Sequence, residues 1–259
     1  MMRIGRLALF AVALAPALMA GPALAERLII SLSQHRVLIN STFTGVDLTL
    51  FGAIEADASA VGRAGNYALV VTAAGPHRTV TTWRKKRVFG IWVNAESRTF
   101  VEPPSYLAVL TNRPIAAIAD ASVLRRRQVG LQQVVLPQNL EGDIADANDP
   151  FRQAFVRLKT EQGLYREQTN AVTFLTPTLF RTSIPLPANA PVGSYEVTVQ
   201  LFSGGSMIAD EGTAFEIIKT GFEQFVAVAA RQHGLLYGVA TAMLSLLTGW
   251  LGSIIFRRD

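Results

Sequence analysis

The apolar run at residues 235–256 constrains this chain more than any other feature. It carries no charge and is closed by Arg257, Arg258 and Asp259. About 20 such residues suffice for one helical crossing of a bilayer. Gly234, Gly238, Gly249 and Gly252 would weaken a soluble helix. Membrane helices use such residues to bring backbones close together. At about 100° per residue, Gly234, Gly238, Ala242, Ser245, Gly249 and Gly252 fall in one stripe. Leu236, Val239, Met243, Leu247, Trp250 and Ile254 lie opposite. The stripe reads as a docking face for a second transmembrane helix, from a partner or a copy of this chain. The competing explanation is the general richness of membrane helices in small residues. Tyr237 and Trp250 stand toward opposite ends, as interfacial aromatic belts require.

A second apolar run stands at the N-terminus. Arg3 and Arg6 precede an apolar core at 7–19, interrupted by Pro16, and Ala23-Leu24-Ala25 matches a small-x-small cleavage signal. Residues 1–25 are therefore expected to be a signal peptide, removed to leave Glu26 first. The alternative is an uncleaved N-terminal anchor. Export of the body followed by a stop-transfer helix leaves residues 257–259 in the cytoplasm, in keeping with the positive-inside bias. Lys219 and Arg231 on the other flank weaken that asymmetry. The expected location is the bacterial inner membrane, crossed once, with the bulk of the chain in the periplasm.

The formal net charge of +5 is inflated by the tails. Without Arg3, Arg6, Arg257, Arg258 and Asp259 the balance falls by 3 to +2. Such a body makes no general case for nucleic acid. The chain has 0 cysteines, which excludes disulfides, thiolate metal sites and a cysteine nucleophile.

Residues 26–218 read as one β-rich domain. Short runs of branched apolar residues at 27–32, 36–39, 46–51, 66–72, 79–83, 88–93, 98–101 and 106–111 are punctuated by Gly, Pro and Asn. Strands are expected again at 171–175, 179–184, 195–202 and 214–218, with a turn at Gly204-Gly205. Between the two sets, Pro114 opens a helical stretch near 114–127. Asp149-Pro150 opens another near 149–163. The pattern predicts a mainly β, immunoglobulin-like sandwich with a helical insert and one C-terminal transmembrane helix. No flexible linker divides it. Residues 219–234 are expected to form a juxtamembrane helix, with Phe222, Phe225, Val226 and Ala229 on one face.

Candidate chemistry is sparse. His35, His77 and His233 show no metal-ligand or triad spacing. Asp143, Asp146 and Asp149 lack the ligand order of a calcium loop, so capping explains them better. Ser105 and Ser206 lack a nucleophile elbow. No cofactor is expected. The strongest local feature is Trp83-Arg84-Lys85-Lys86-Arg87 followed by Trp92, four cations between two tryptophans. It suits an anion or lipid headgroups. The plainer reading is a hairpin with protective charged edges and core tryptophans. Arg125-Arg126-Arg127 reads as a solvated helix end.

Several separated motifs in one order give a resemblance that spans most of the chain after residue 25. They are Ser41-Thr42-Phe43-Thr44-Gly45 with Phe51-Gly52, Lys86-Arg87 with Gly90-Ile91-Trp92-Val93-Asn94, and Leu186-Pro187. Lys219-Thr220-Gly221, Leu236-Tyr237-Gly238, Gly249-Trp250 and Phe256-Arg257-Arg258 follow. In these the chain resembles the alphaproteobacterial putative transmembrane protein family. The resemblance implies a leader, an exported domain, one C-terminal anchor and an integral membrane companion of the anion-exporter type. It carries no catalytic residues across.

The expected function is therefore a membrane-anchored periplasmic interaction or accessory protein, more in keeping with a binding role than with an enzyme. It would assist a transporter-type membrane partner or associate with itself through the helix. The rival is a tethered periplasmic ligand-binding protein or hydrolase, which needs a concave polar site built from His35, His77 or the Arg84 to Arg87 cations.

Overall fold

The computed structural model describes residues 26–55, 66–138, 144, 146–221, 226 and 230–255. The expected signal peptide, Asp143, Phe222, Phe225, Ala229 and the tail at 256–259 lie outside these residues. The described part is mostly strands, in two packed sheets and a hairpin, followed by one long C-terminal helix.

The first sheet has the order β1 (Arg27–Leu32), β3 (Gly45–Glu55), β10 (Leu179–Pro187) and β9 (Val172–Phe174), all antiparallel. The second has the order β2 (Arg36–Ile39), β12 (Ser206–Lys219), β11 (Gly193–Ser203), β4 (Ala68–Ala74), β7 (Leu107–Thr111) and β8 (Tyr165–Gln168). Its two outer pairings, β2 with β12 and β7 with β8, are parallel. The sheets share one core. Alternation explains which residues enter it. Along β10, Phe180, Thr182, Ile184 and Leu186 point in, while Arg181 and Ser183 point out. β4 is different: Ala68 to Val71 are all buried, as in a central strand covered on both faces.

β3 runs straight through Gly52, although a glycine there reads as a strand end. A Cβ on Gly52 would stand 2.2 Å from Phe180 Cζ. The glycine is thus where the Phe180 ring lies on the backbone of the neighbouring strand. Tyr106 bridges the sheets by donating from its hydroxyl to Pro185 O at 2.6 Å. Tyr195, stacked on Phe215 at 4.9 Å, donates to Pro191 O at 2.6 Å.

The insert between β7 and β8 holds short 3₁₀ turns and two helices, α1 (Ala121–Arg126) and α2 (Pro150–Glu161). Asp149 caps α2: its Oδ1 accepts from Phe151 N at 2.8 Å, and Pro150 opens the first turn. Phe155 carries α2 into the core, edge-on to Tyr165 and 5.2 Å from Phe100.

The remaining strands, β5 (Val80–Val88) and β6 (Ile91–Phe100), form a separate two-stranded hairpin. The sequence pattern suggests two strands joined by the basic segment. Instead the basic residues lie within β5, and the chain turns at Phe89-Gly90. Both of those have positive φ, 48° and 86°, as a two-residue hairpin turn of the right hand requires. The C-terminal helix, α3 (Gly234–Ile255), has 22 residues and a mean hydropathy of 1.6.

Candidate functional site

The β5–β6 hairpin and α3 hold most of the large apolar side chains that the described residues expose. On the hairpin, Phe89 is 103 % exposed, Trp92 68 %, Ile91 66 % and Trp83 55 %. The plainer reading of the two tryptophans, as core residues, is therefore corrected. The hairpin projects from the body, so neither of its outer faces meets the sandwich core along the stretch they occupy.

Cross-strand register sorts the hairpin's side chains. Val88 opposes Ile91 and Lys86 opposes Val93 on one face; Arg87 opposes Trp92 and Lys85 opposes Asn94 on the other. Each face thus has an apolar group at the tip and a lysine behind it. Arg84 pairs with Glu96 at 3.6 Å, with both groups more than half exposed. That contact is worth under about 1 kcal/mol. The hairpin's root is braced. Phe100 packs on Phe155, and Arg98 lies over the Phe151 ring at 5.5 Å. A cleft of about 360 Å³ runs between Thr82, Trp83 and Arg84 on one side and Phe151, Ala154 and Leu158 on the other.

α3 presents no buried residue. Three of its hydroxyls bond inward, Thr241 Oγ1 to Tyr237 O at 3.0 Å, Ser245 Oγ to Thr241 O at 2.9 Å and Thr248 Oγ1 to Leu244 O at 2.9 Å. Polar side chains in such a helix thereby need no solvent. A Cβ built on Gly234, Gly238, Gly249 or Gly252 meets nothing within 4 Å. Ala242 and Ser245 are exposed on the same stripe.

The other candidates do not converge. His35 precedes β2 at one edge of the second sheet, and its carbonyl accepts from Glu216 N at 2.9 Å. His77 follows β4, three strand positions away, with Nδ1 2.7 Å from Glu102 O. His233 interrupts the helical path before α3, and its carbonyl accepts from Tyr237 N at 2.9 Å. Ser105 is buried beside Tyr106, and Ser206 opens β12 after the Gly204-Gly205 turn. Asp146 Oδ1 accepts from Asn148 N at 2.8 Å, a local turn. Arg125 and Arg126 end α1, exposed. Among the described residues no group of three His, Asp or Glu is placed to hold a metal ion.

Two cations are perturbed by packing around α2. Burial lowers the Arg152 guanidinium, opposed by Asp146 and Asp149, and the group donates to Gln132 O at 2.8 Å. Burial, then the Arg78 charge, lowers Lys159. Sequence reasoning missed Arg78, which donates from Nη2 to Val192 O at 3.2 Å and ties the hairpin root to β11. The only trace of it in the sequence is its place just before a strand.

No curated protein and no solved structure matches the chain. The family described as "Putative transmembrane protein (Alph_Pro_TM)" matches over residues 27–258, and the chain belongs to that family.

Proposed function

We propose that this chain is a membrane-tethered interaction protein, an accessory subunit whose β-rich body is held in the periplasm by α3. The observation that carries this reading is α3 itself: a 22-residue apolar helix with no buried residue, its Thr241, Ser245 and Thr248 hydroxyls bonded to its own backbone, joined to a separately cored body. At 1.5 Å per residue it spans roughly 33 Å, enough for the hydrocarbon core. The stripe from Gly234 to Gly252 docks on an integral membrane partner of transporter type, or on a second copy. The hairpin adds a second contact surface, on the body and apart from α3.

We also read the body as immunoglobulin-like. The order β1-β3-β10-β9 against β2-β12-β11-β4-β7 supports it. So does Tyr195, whose hydroxyl reaches back to Pro191 O near the start of β11 in the manner of a tyrosine corner. On that reading, the hairpin and the helices are insertions around β7 of a sandwich, a common place for a binding device.

Cross-linking in native membranes followed by mass spectrometry tests the docking role. Wild type is expected to yield a defined membrane-protein cross-link or a dimer, and Gly238→Leu and Gly249→Leu are expected to lose it while remaining in the membrane. Cross-links that survive both substitutions overturn helix docking. Reporter fusions near residue 100 test the orientation, and a cytosolic signal there overturns it.

A further inference from the structure

The root of the β5–β6 hairpin and the exit toward α3 share one end of the second sheet. β12 ends at Lys219, with Ile217 opposite Gly193 at the start of β11. β11 in turn sets Glu196 against Ala74, the last residue of β4, and Ala74 lies opposite Leu107, the first residue of β7. The chain leaves Ala74 for the hairpin and returns from it at Leu107. Arg78 and Pro76 close this end. Arg78 bonds Val192 O, and a Cβ on Gly193 would stand 3.0 Å from Pro76 Cγ. From Lys219 to Gly234 the connection reaches at most roughly 50 Å when extended. The hairpin, 9 residues long on β5, is roughly 30 Å in length. Its base therefore lies on the side of the body from which the chain continues to the bilayer.

The hairpin separates its chemistry along its length, not across its faces. Val88, Phe89, Ile91 and Trp92 crown the tip on both faces; Arg87 stands among them, opposite Trp92 and donating from Nε to Gly90 O at 3.3 Å, and Lys85 and Lys86 lie behind. An element lying flat on a surface would place apolar and charged groups on opposite faces; this one is built to enter tip-first. From Phe89 back to Lys86 is roughly 10 Å of strand, which matches the 5–10 Å or so to which interfacial elements bury their apolar parts. Phe89 is a bulky residue held at a φ of 48° where Asn is the usual choice. It is an unfavourable residue for the turn and a favourable one for an interface. Within the hairpin, Glu96 is the one carboxylate against these cations, and it is paired with Arg84.

We propose that this hairpin is a second membrane contact. Its apolar tip enters the headgroup region of the bilayer that holds α3, and Lys85, Lys86 and Arg87 bind the phosphates of anionic phospholipids there. The inference rests on the reading of a membrane-tethered body. It adds that the body is fixed against the membrane surface at two points, by α3 and by the hairpin, and does not swing freely on its connection.

The chain's tryptophans allow a direct test on the full protein. Trp83→Phe with Trp250→Phe leaves Trp92 as the reporter; Trp83→Phe with Trp92→Phe leaves Trp250. Both chains are reconstituted in phosphatidylcholine nanodiscs with and without phosphatidylglycerol, using lipids brominated near the headgroup or deep in the acyl chain. Trp92 is expected to shift to shorter wavelength and be quenched from the headgroup side only in anionic discs, and high salt should reverse this. Each of Lys85→Gln, Lys86→Gln and Arg87→Gln should lower the ratio of inserted to free hairpin roughly five-fold. Phe89→Asp, at a tip that touches nothing in the body, should abolish insertion without unfolding it. Trp92 that stays water-exposed in anionic discs while Trp250 is quenched overturns the hairpin contact alone. Loss of Trp250 quenching overturns the tether and the hairpin's bilayer with it. Shielding that ignores lipid charge overturns the phosphate pairing, and shielding that needs a co-purified membrane protein overturns the lipid in favour of that protein.

Discussion

Arg78 Nη2 donates to Val192 O at 3.2 Å and so fastens the root of the β5–β6 hairpin to the strand that pairs with β12. Together with Pro76 packed against Gly193, this contact joins the projecting element to the exit of the chain. Arg78→Ala is expected to cost about 1 kcal/mol, read as a small fall in Tm. Hydrogen exchange should rise most in 80–100, because a lone two-stranded hairpin is marginal in water without a brace.

Gly52→Ala tests the close approach of Phe180. The new methyl would stand 2.2 Å from the ring, so the strand or the ring must shift. The expected loss is about 2 kcal/mol, measured as a lower urea midpoint. Adding Phe180→Leu should recover part of the loss, since the two changes share one space.

Asp149→Ala removes the cap of α2 and the Gln138 Nε2 contact at 3.0 Å. About 1 kcal/mol of stability is expected to go. Asp149→Asn should retain most of it, because the amide oxygen still accepts from Phe151 N. Thermal unfolding of the two variants distinguishes these outcomes.

The phenols of Tyr106, Tyr165 and Tyr195 are raised above the ordinary tyrosine range. Burial is the main cause at each, reinforced at Tyr106 by Tyr195 and opposed by Arg152 at Tyr165 and by Arg78 at Tyr195. A raised acid holds its proton more tightly in the folded state, so its contribution is whole below the unfolded value and is lost above it. Stability should therefore fall as pH rises past about 10. Absorbance titration near 295 nm should show these tyrosines ionising only as the protein unfolds; free titration in the folded state would contradict the burial.

Phe89→Asn should relieve the positive φ at the turn. The hairpin is expected to gain about 1 kcal/mol of local stability, seen as slower exchange at the amides of 85–93. The same substitution should weaken the hairpin's membrane contact. A variant at once stabler and looser on the bilayer would show that the tip residue serves contact and not folding.

The apolar anchor, the mainly β body and the helix capped by Asp149 were legible in the order of residues alone. Each depends on local pattern: an uninterrupted apolar run, alternation along a strand, a carboxylate two residues before an unbonded N–H. The stretch near 114–127 that reads as one helix is instead a 3₁₀ turn at Ile115–Ala117 followed by α1 from Ala121. The continuity of β3 through Gly52 was not legible, because it depends on a Phe180 ring far away in sequence. Nor were the parallel pairings of β2 with β12 and β7 with β8, or strand β8 itself, whose Tyr165-Arg166-Glu167-Gln168 carries little strand pattern and is held by its partner. The tryptophans looked like core residues because large aromatics usually are, and only the packing shows that the sandwich core is filled without them. Above all, the meeting of the hairpin root with the exit of β12 comes from the register of β4, β11 and β12 together. Register is set by which faces bury each other across the sheet, so the one-dimensional sequence displays its ingredients and tertiary packing decides it.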